Sequence, residues 1–141
     1  MNTKELDGYL KFLSEKQTAV QESGFDVEDS DLSPQLFPFQ KYCVKRALKV
    51  GRFAMFEDCG LGKTYQQLEW AQQVVNHINK PVLILAPLGV IGQTIKEGVH
   101  FGYKVTEIAL TTFDQDLAAG IYITNYDNMD NIDAYLFGEI G

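Results

Sequence analysis

Apolar residues recur at helical spacing in five stretches of the chain. Leu6, Leu10 and Leu13 predict a helix over residues 3–20, and Cys43, Val44, Ala47 and Leu48 one over 40–50, with Gly51 as its C-cap. Leu68, Ala71, Val74, Val75 and Ile78 predict a helix over 63–77. Ile91, Ile95 and Val99 do the same for 90–100, as do Met129, Ile132 and Leu136 for 127–137. Between them lie short apolar runs of strand character: Phe53–Phe56, Val82–Leu85, Val105–Leu110 and Ile121–Thr124. The run Val82-Leu83-Ile84-Leu85 has no polar alternation, which predicts burial on both faces. Residues 113–118 read as a short helix or turn. Gly24 with the acidic run 26–31, then Ser33-Pro34 and Phe37-Pro38, mark loops and turns. Strands alternating with helices predict an α/β domain: a parallel sheet with helices on both faces, here over 34–141, preceded by an N-terminal extension over 1–33.

Composition leaves this picture in place. Of 141 residues, 45% are apolar and 22% charged, as expected of a packed globular domain rather than a disordered one. No apolar run approaches the ~18 to 20 residues of a membrane span, and the polar start Met1-Asn2-Thr3-Lys4-Glu5 lacks the apolar core of a secretion signal, so no membrane association and a cytoplasmic location are expected. Cys43 and Cys59 form no CxxC pair and have no neighbouring histidine, which argues against a disulfide framework or a zinc site.

Charge adds a clue. The net charge of −7 divides into −5 over residues 1–33, +5 over 34–104 and −7 over 105–141. A basic middle between acidic ends suits anion chemistry in the middle. The closely spaced Lys41, Lys45, Arg46 and Lys49 also fit a solvated helix face.

That middle contains Glu57-Asp58-Cys59-Gly60-Leu61-Gly62-Lys63-Thr64, between a strand candidate and a helix. Glycines permit a tight turn in which successive N–H groups converge on a phosphate, and the following helix aims its positive end at the same place. Lys63 is placed to reach the β- and γ-phosphates and the Thr64 hydroxyl to ligate Mg²⁺. The general phosphate-loop pattern wants Gly where this chain has Glu57.

The same eight residues resemble motif I of superfamily 2 helicases and translocases, above all the Swi/Snf-like branch, in which an acidic residue, two variable positions and Gly-Leu-Gly-Lys-Thr are usual. Other segments fit this resemblance. Leu36-Phe37-Pro38-Phe39-Gln40 resembles the Q motif, which implies that the Gln40 carboxamide reads the adenine edge and that Phe37 or Phe39 stacks on the base. Val82–Pro87 with Gln93 and Glu97 resembles motif Ia, whose turn and helix start contact the nucleic-acid backbone; the candidates are Leu88, Gly89, Val90 and Gln93. Ile121–Asp127 resembles motif Ib. The wording Ala-Pro-Leu-x-Val-x-x-Gln-Thr is closer to phage-type helicases than to remodelling enzymes.

The resemblance implies a RecA-like P-loop domain that binds ATP and Mg²⁺ through Phe37, Gln40, Gly60, Leu61, Gly62, Lys63 and Thr64, with Lys63 and Thr64 as catalytic residues. It implies nucleic acid as partner, DNA ahead of RNA. The Asp-Glu pair of motif II, the second RecA-like domain and its arginine fingers are not found in the sequence. The expectation is therefore a C-terminally truncated piece of an ATP-dependent helicase or translocase that binds nucleotide without hydrolysing it. The alternatives are a small P-loop kinase, disfavoured because residues 105–141 hold no arginine for a lid, and a nucleotide-binding module without catalysis.

Overall fold

A computed structural model describes residues 7, 8, 11, 22–108 and 117–131. Its elements are α1 (Pro38–Val50), α2 (Lys63–Ile78), β1 (Pro81–Ala86), α3 (Leu88–Phe101), β2 (Val105–Glu107), β3 (Gly120–Asn125) and a 3-10 helix (Tyr126–Asn131). The chain is mixed α/β with a small open sheet of three parallel strands, ordered β1-β3-β2. Most of the expected 3–20 helix, residues 113–116 of the expected short helix or turn, and the 127–137 helix beyond Asn131 lie outside the described residues. Within them, the last of these begins as a 3-10 turn.

Register sorts the sheet into two faces. Val82 pairs with Ile121 and Ile84 with Ile123, while Val105 meets Ile121 from the other side. All of these are buried and form one cluster with Leu68, Ala71 and Val75 of α2 and Ile91 of α3. Helices α2 and α3 also touch each other, so both lie on this face. On the opposite face Leu83, Leu85 and Tyr122 are only half-buried. The expected burial of Val82–Leu85 on both faces, and the expected helices on both faces, are not found among the described residues: a run of apolar side chains does not tell which face receives the helices.

Two further expectations are corrected. Phe53–Phe56 is not a strand, since it pairs with no described strand and leaves Phe53 and Phe56 exposed. Val99 is exposed rather than in the core of α3, because Gly98 makes the close approach there, with no room for a side chain against Val105.

Among the described residues no paired strand precedes α2. Its first turn stacks Tyr65 on Phe101 at 4.0 Å and approaches Tyr103, the residues that lead into β2. Its last residue, Ile78, stands three positions before the start of β1. Both ends of α2 thus lie at the amino ends of parallel strands, and the helix crosses that edge of the sheet. The start of α3 follows β1 directly, at the carboxyl edge.

The segment 22–36 is packed onto this frame. The N–H groups of Ser23, Gly24 and Phe25 donate to the carbonyls of Val50, Lys49 and Leu48, which satisfies acceptors left free at the end of α1. Leu32 and Leu36 join the core, and Phe25 stacks on His77 at 3.8 Å. The acids of this segment meet the basic face of α1: Asp29 pairs with Lys45, Glu22 with Arg46 and Lys49, and Asp26 with Lys49. The Lys45 ammonium, through its hydrogen bond and charge, holds the Asp29 carboxyl below its ordinary range. These pairs are exposed, and each contributes little to stability.

Candidate nucleotide site

Two glycines shape the loop before α2. Gly60 has φ +82° and Gly62 φ +73°, the left-handed region that a side chain disfavours. Leu61 between them has no such conformation. Alternation of this kind turns successive N–H groups toward one side, and Gly62 is also the N-cap of α2, with no side-chain cap. The first turn of α2 contains no acidic residue. The loop therefore presents backbone donors and the positive end of a 16-residue helix together.

Lys63 is exposed, and its Nζ donates to the main-chain carbonyl of Glu57 at 2.8 Å. Beneath the loop, Gln66 Nε2 donates both to Glu57 Oε2 (2.8 Å) and to the Leu61 carbonyl (3.1 Å). Cys43 faces the same carboxylate; partial burial and then the proximity of Glu57 push its thiol pKa up. Cys59, in the loop itself, is exposed.

Gln40 is buried, 4% exposed, and engaged at both ends. Its Oε1 accepts from the Phe37 N–H at 2.9 Å, the backward reach of a helix N3 residue, and its Nε2 donates to the Leu61 carbonyl at 2.9 Å. Pro38 at the first helical position suits this start. The carboxamide expected to read a base thus holds the start of α1 to the tip of the loop.

An open cleft of about 710 Å³ adjoins the loop. It is lined by Phe37, Phe39 and Gln40 beside α1, by Gly60–Gly62 and Tyr65 of the loop and α2, and by Lys96, Glu97, His100 and Phe101 of α3. Phe37 and Phe39 are parallel (7°) and exposed, an aromatic platform for a flat ring. Phe37, Gln40 and the loop, distant in sequence, are therefore brought together at one cleft.

Leu88, Gly89, Val90 and Gln93 are not brought to this cleft. They occupy the exposed first turns of α3, and Gln93 donates to Glu97 at 2.8 Å. The cleft meets α3 at Lys96–Phe101, so Leu88 begins about 12 Å away at 1.5 Å per residue, while Gln93 borders the cleft only through Glu97. The loop sits at the amino edge of the sheet and these residues at the carboxyl edge. Tyr126 is exposed at the end of β3.

Sequence reasoning missed the buried polar stripe of α2. Gln66, Glu69 and Gln73 are each under a tenth exposed, at helical spacings of three and four. Glu69 accepts from the Tyr103 hydroxyl, the Ser33 N–H and Gln73 Nε2, and Gln73 also donates to the Asp31 carbonyl. Burial first, then the Glu69 carboxylate, raises the Tyr103 pKa far above the ordinary tyrosine value. The signal was available: three polar residues beside the apolar stripe, in step with it.

Among the described residues no group of three or more His, Cys, Asp or Glu side chains forms a metal site, and no helix is long and apolar enough to cross a membrane. No protein-family model matches the chain, and no curated protein matches it.

Proposed function

We propose that Glu57–Thr64 and the adjoining cleft form an ATP site, and that the chain is the ATP-binding portion of a nucleic-acid-dependent ATPase of the P-loop, RecA-like type, a helicase or translocase. The observation that carries this reading is the pairing of left-handed Gly60 and Gly62 at the bare N-terminus of α2 with an aromatic cleft alongside. The loop suits the phosphates, and the cleft suits a base.

In this reading Lys63 leaves the Glu57 carbonyl for the β- and γ-phosphates. The Thr64 hydroxyl is the protein ligand proposed for Mg²⁺, an ion that nucleotide phosphates can hold chiefly themselves. Bound there, Mg²⁺ would neutralise phosphate charge. Phe37 and Phe39 stack on the base, and Gln40 reads its edge by giving up a bond to Phe37 or Leu61, as Lys63 gives up the Glu57 carbonyl. Among the described residues Lys63 and Thr64 provide a cradle without the second acid and cationic help that phosphoryl transfer needs, and the proposal is binding without measurable turnover. Leu88, Gly89, Val90 and Gln93 are the proposed contacts to nucleic acid, DNA ahead of RNA.

Titration calorimetry tests the site: ATP should bind more tightly than adenosine, and ATP should slow alkylation of the exposed Cys59. ATP and adenosine binding alike, with Cys59 unprotected, would overturn the phosphate role. A second reading, a nucleotide-binding module without catalysis, is favoured by one observation: the loop and Leu88–Val90 occupy opposite edges of the sheet. It predicts that DNA leaves ATP affinity unchanged.

A further inference from the structure

We infer that Gln66 is a positioning residue for anion binding, aiming the Gly62 amide at the phosphate. This inference rests on the phosphate-loop reading above and assigns a role to a residue outside the loop.

Gln66 lies one turn into α2, wholly buried, directly beneath the loop. A buried glutamine must find partners for its two N–H donors, and both bonds that Gln66 donates go to the loop. One goes to the carboxylate of Glu57, the loop's first residue, and the other to the carbonyl of Leu61 at its tip. A single side chain therefore ties the start of the loop to its turn.

The bond to Leu61 has a directional consequence. In a trans peptide the C=O and the following N–H point in opposite directions. With the Leu61 carbonyl drawn inward to Gln66 and Gln40, the N–H of Gly62 faces outward, on the side where an anion would lie. The left-handed conformation of Gly62 is compatible with that orientation. Without Gln66 the carbonyl keeps only its bond to Gln40 and the tie to Glu57 is lost, so the Leu61–Gly62 peptide gains freedom to rotate and the Gly62 donor loses its fixed aim without any change in charge.

The acceptor side points the same way. Among the described residues neither Gln66 Oε1 nor Glu57 Oε1 has a hydrogen-bond partner, although both atoms are buried. A buried glutamine placed only for packing stability would not be favoured over an apolar residue while an acceptor is left unsatisfied. The arrangement satisfies the donors of Gln66 at the loop and leaves its acceptor unpaired, which suits positioning better than core packing.

The test is Gln66→Leu, which keeps bulk and removes both donors. Inorganic pyrophosphate and adenosine are titrated separately into wild type and variant, with the Gly62 amide followed by ¹⁵N-resolved NMR and folding checked by thermal unfolding. The expected result is a loss of about tenfold or more in pyrophosphate affinity, the scale of a hydrogen bond to a charged group. Adenosine affinity should stay within about twofold, because its cleft contacts do not involve Gln66. The Gly62 resonance, shifted by pyrophosphate in wild type, should respond weakly in the variant. Should Gln66→Leu fail to fold, Gln66→Met removes the same two donors with a more adaptable side chain and should give the same loss. Unchanged pyrophosphate affinity in the folded variant, or an equal fall for both ligands, overturns the role of Gln66 alone. Wild-type protein in which pyrophosphate neither binds nor shifts Gly62 overturns the phosphate-loop reading itself, and this inference with it.

Discussion

Lys63 donates to the carbonyl of Glu57 at 2.8 Å, so the loop's own backbone holds the ammonium proposed for phosphate. Any anion entering the loop competes with that carbonyl, and a doubly or triply charged phosphate competes better than a neutral ligand. Lys63→Ala should therefore weaken ATP by about tenfold to a hundredfold, the range for a charged hydrogen bond, and leave adenosine nearly unaffected. Calorimetry with both ligands decides it; equal ATP binding by wild type and variant would show that Lys63 belongs to the loop's own structure.

Gln40 makes two separable predictions. As a reader of the adenine edge it should favour ATP over GTP by about 1 to 3 kcal/mol, and Gln40→Ala should erase that preference. As the link between Phe37 and Leu61 it should also support folding, so the variant should melt at a lower temperature. A lower melting temperature with an unchanged ATP to GTP ratio would leave Gln40 only the second role.

Gly24 lies where an added Cβ would overlap the Leu48 carbonyl, a backbone atom that cannot swing aside. Gly24→Ala should cost about 1 to 3 kcal/mol, as overpacking generally does, and loosen the three main-chain bonds between 23–25 and 48–50. Urea denaturation measures the first effect. Faster amide exchange at residues 23–25 reports the second.

Tyr103 governs the alkaline limb. Its folded-state pKa is raised, so its stabilising contribution is complete below the unfolded value, about 10, and is lost as pH climbs above it. The chain should therefore lose stability above about pH 10. Tyr103→Phe, although less stable at neutral pH because Glu69 loses a donor, should lose less between pH 9 and 11 on the order of these pKa values. Urea midpoints across that range would refute the assignment if the two limbs were parallel.

The regular elements were legible where periodicity alone defines them. α1, α2 and α3, and the strands β1 and β3, fall within a few residues of their expected positions because apolar spacing and caps such as Gly51 mark them directly. Phe53–Phe56 has the same local character as β1, yet no ladder partner; pairing is non-local, and a tetrapeptide cannot announce it. For the same reason Val82–Leu85 did not disclose that one sheet face receives both helices. At the site, Gly60 and Gly62 were legible because their backbone angles need glycine. The wall made by Lys96, His100 and Phe101 was not, since it arises from α2 crossing the sheet edge and stacking Tyr65 on Phe101.

Gly62 shows how tightly distant positions can be bound as a heritable unit. A Cβ there would come within 2.5 Å of Gln40 Nε2. Replacing Gly62 thus incurs the left-handed strain of about 1 to 2 kcal/mol and, in addition, displaces a carboxamide 22 residues earlier in the chain. Shortening Gln40 removes only the collision, so Gly62→Ala should be milder in a Gln40→Ala background than in wild type. Neither position can drift freely while the other stays, and descendants of this sequence that change one are expected to change both.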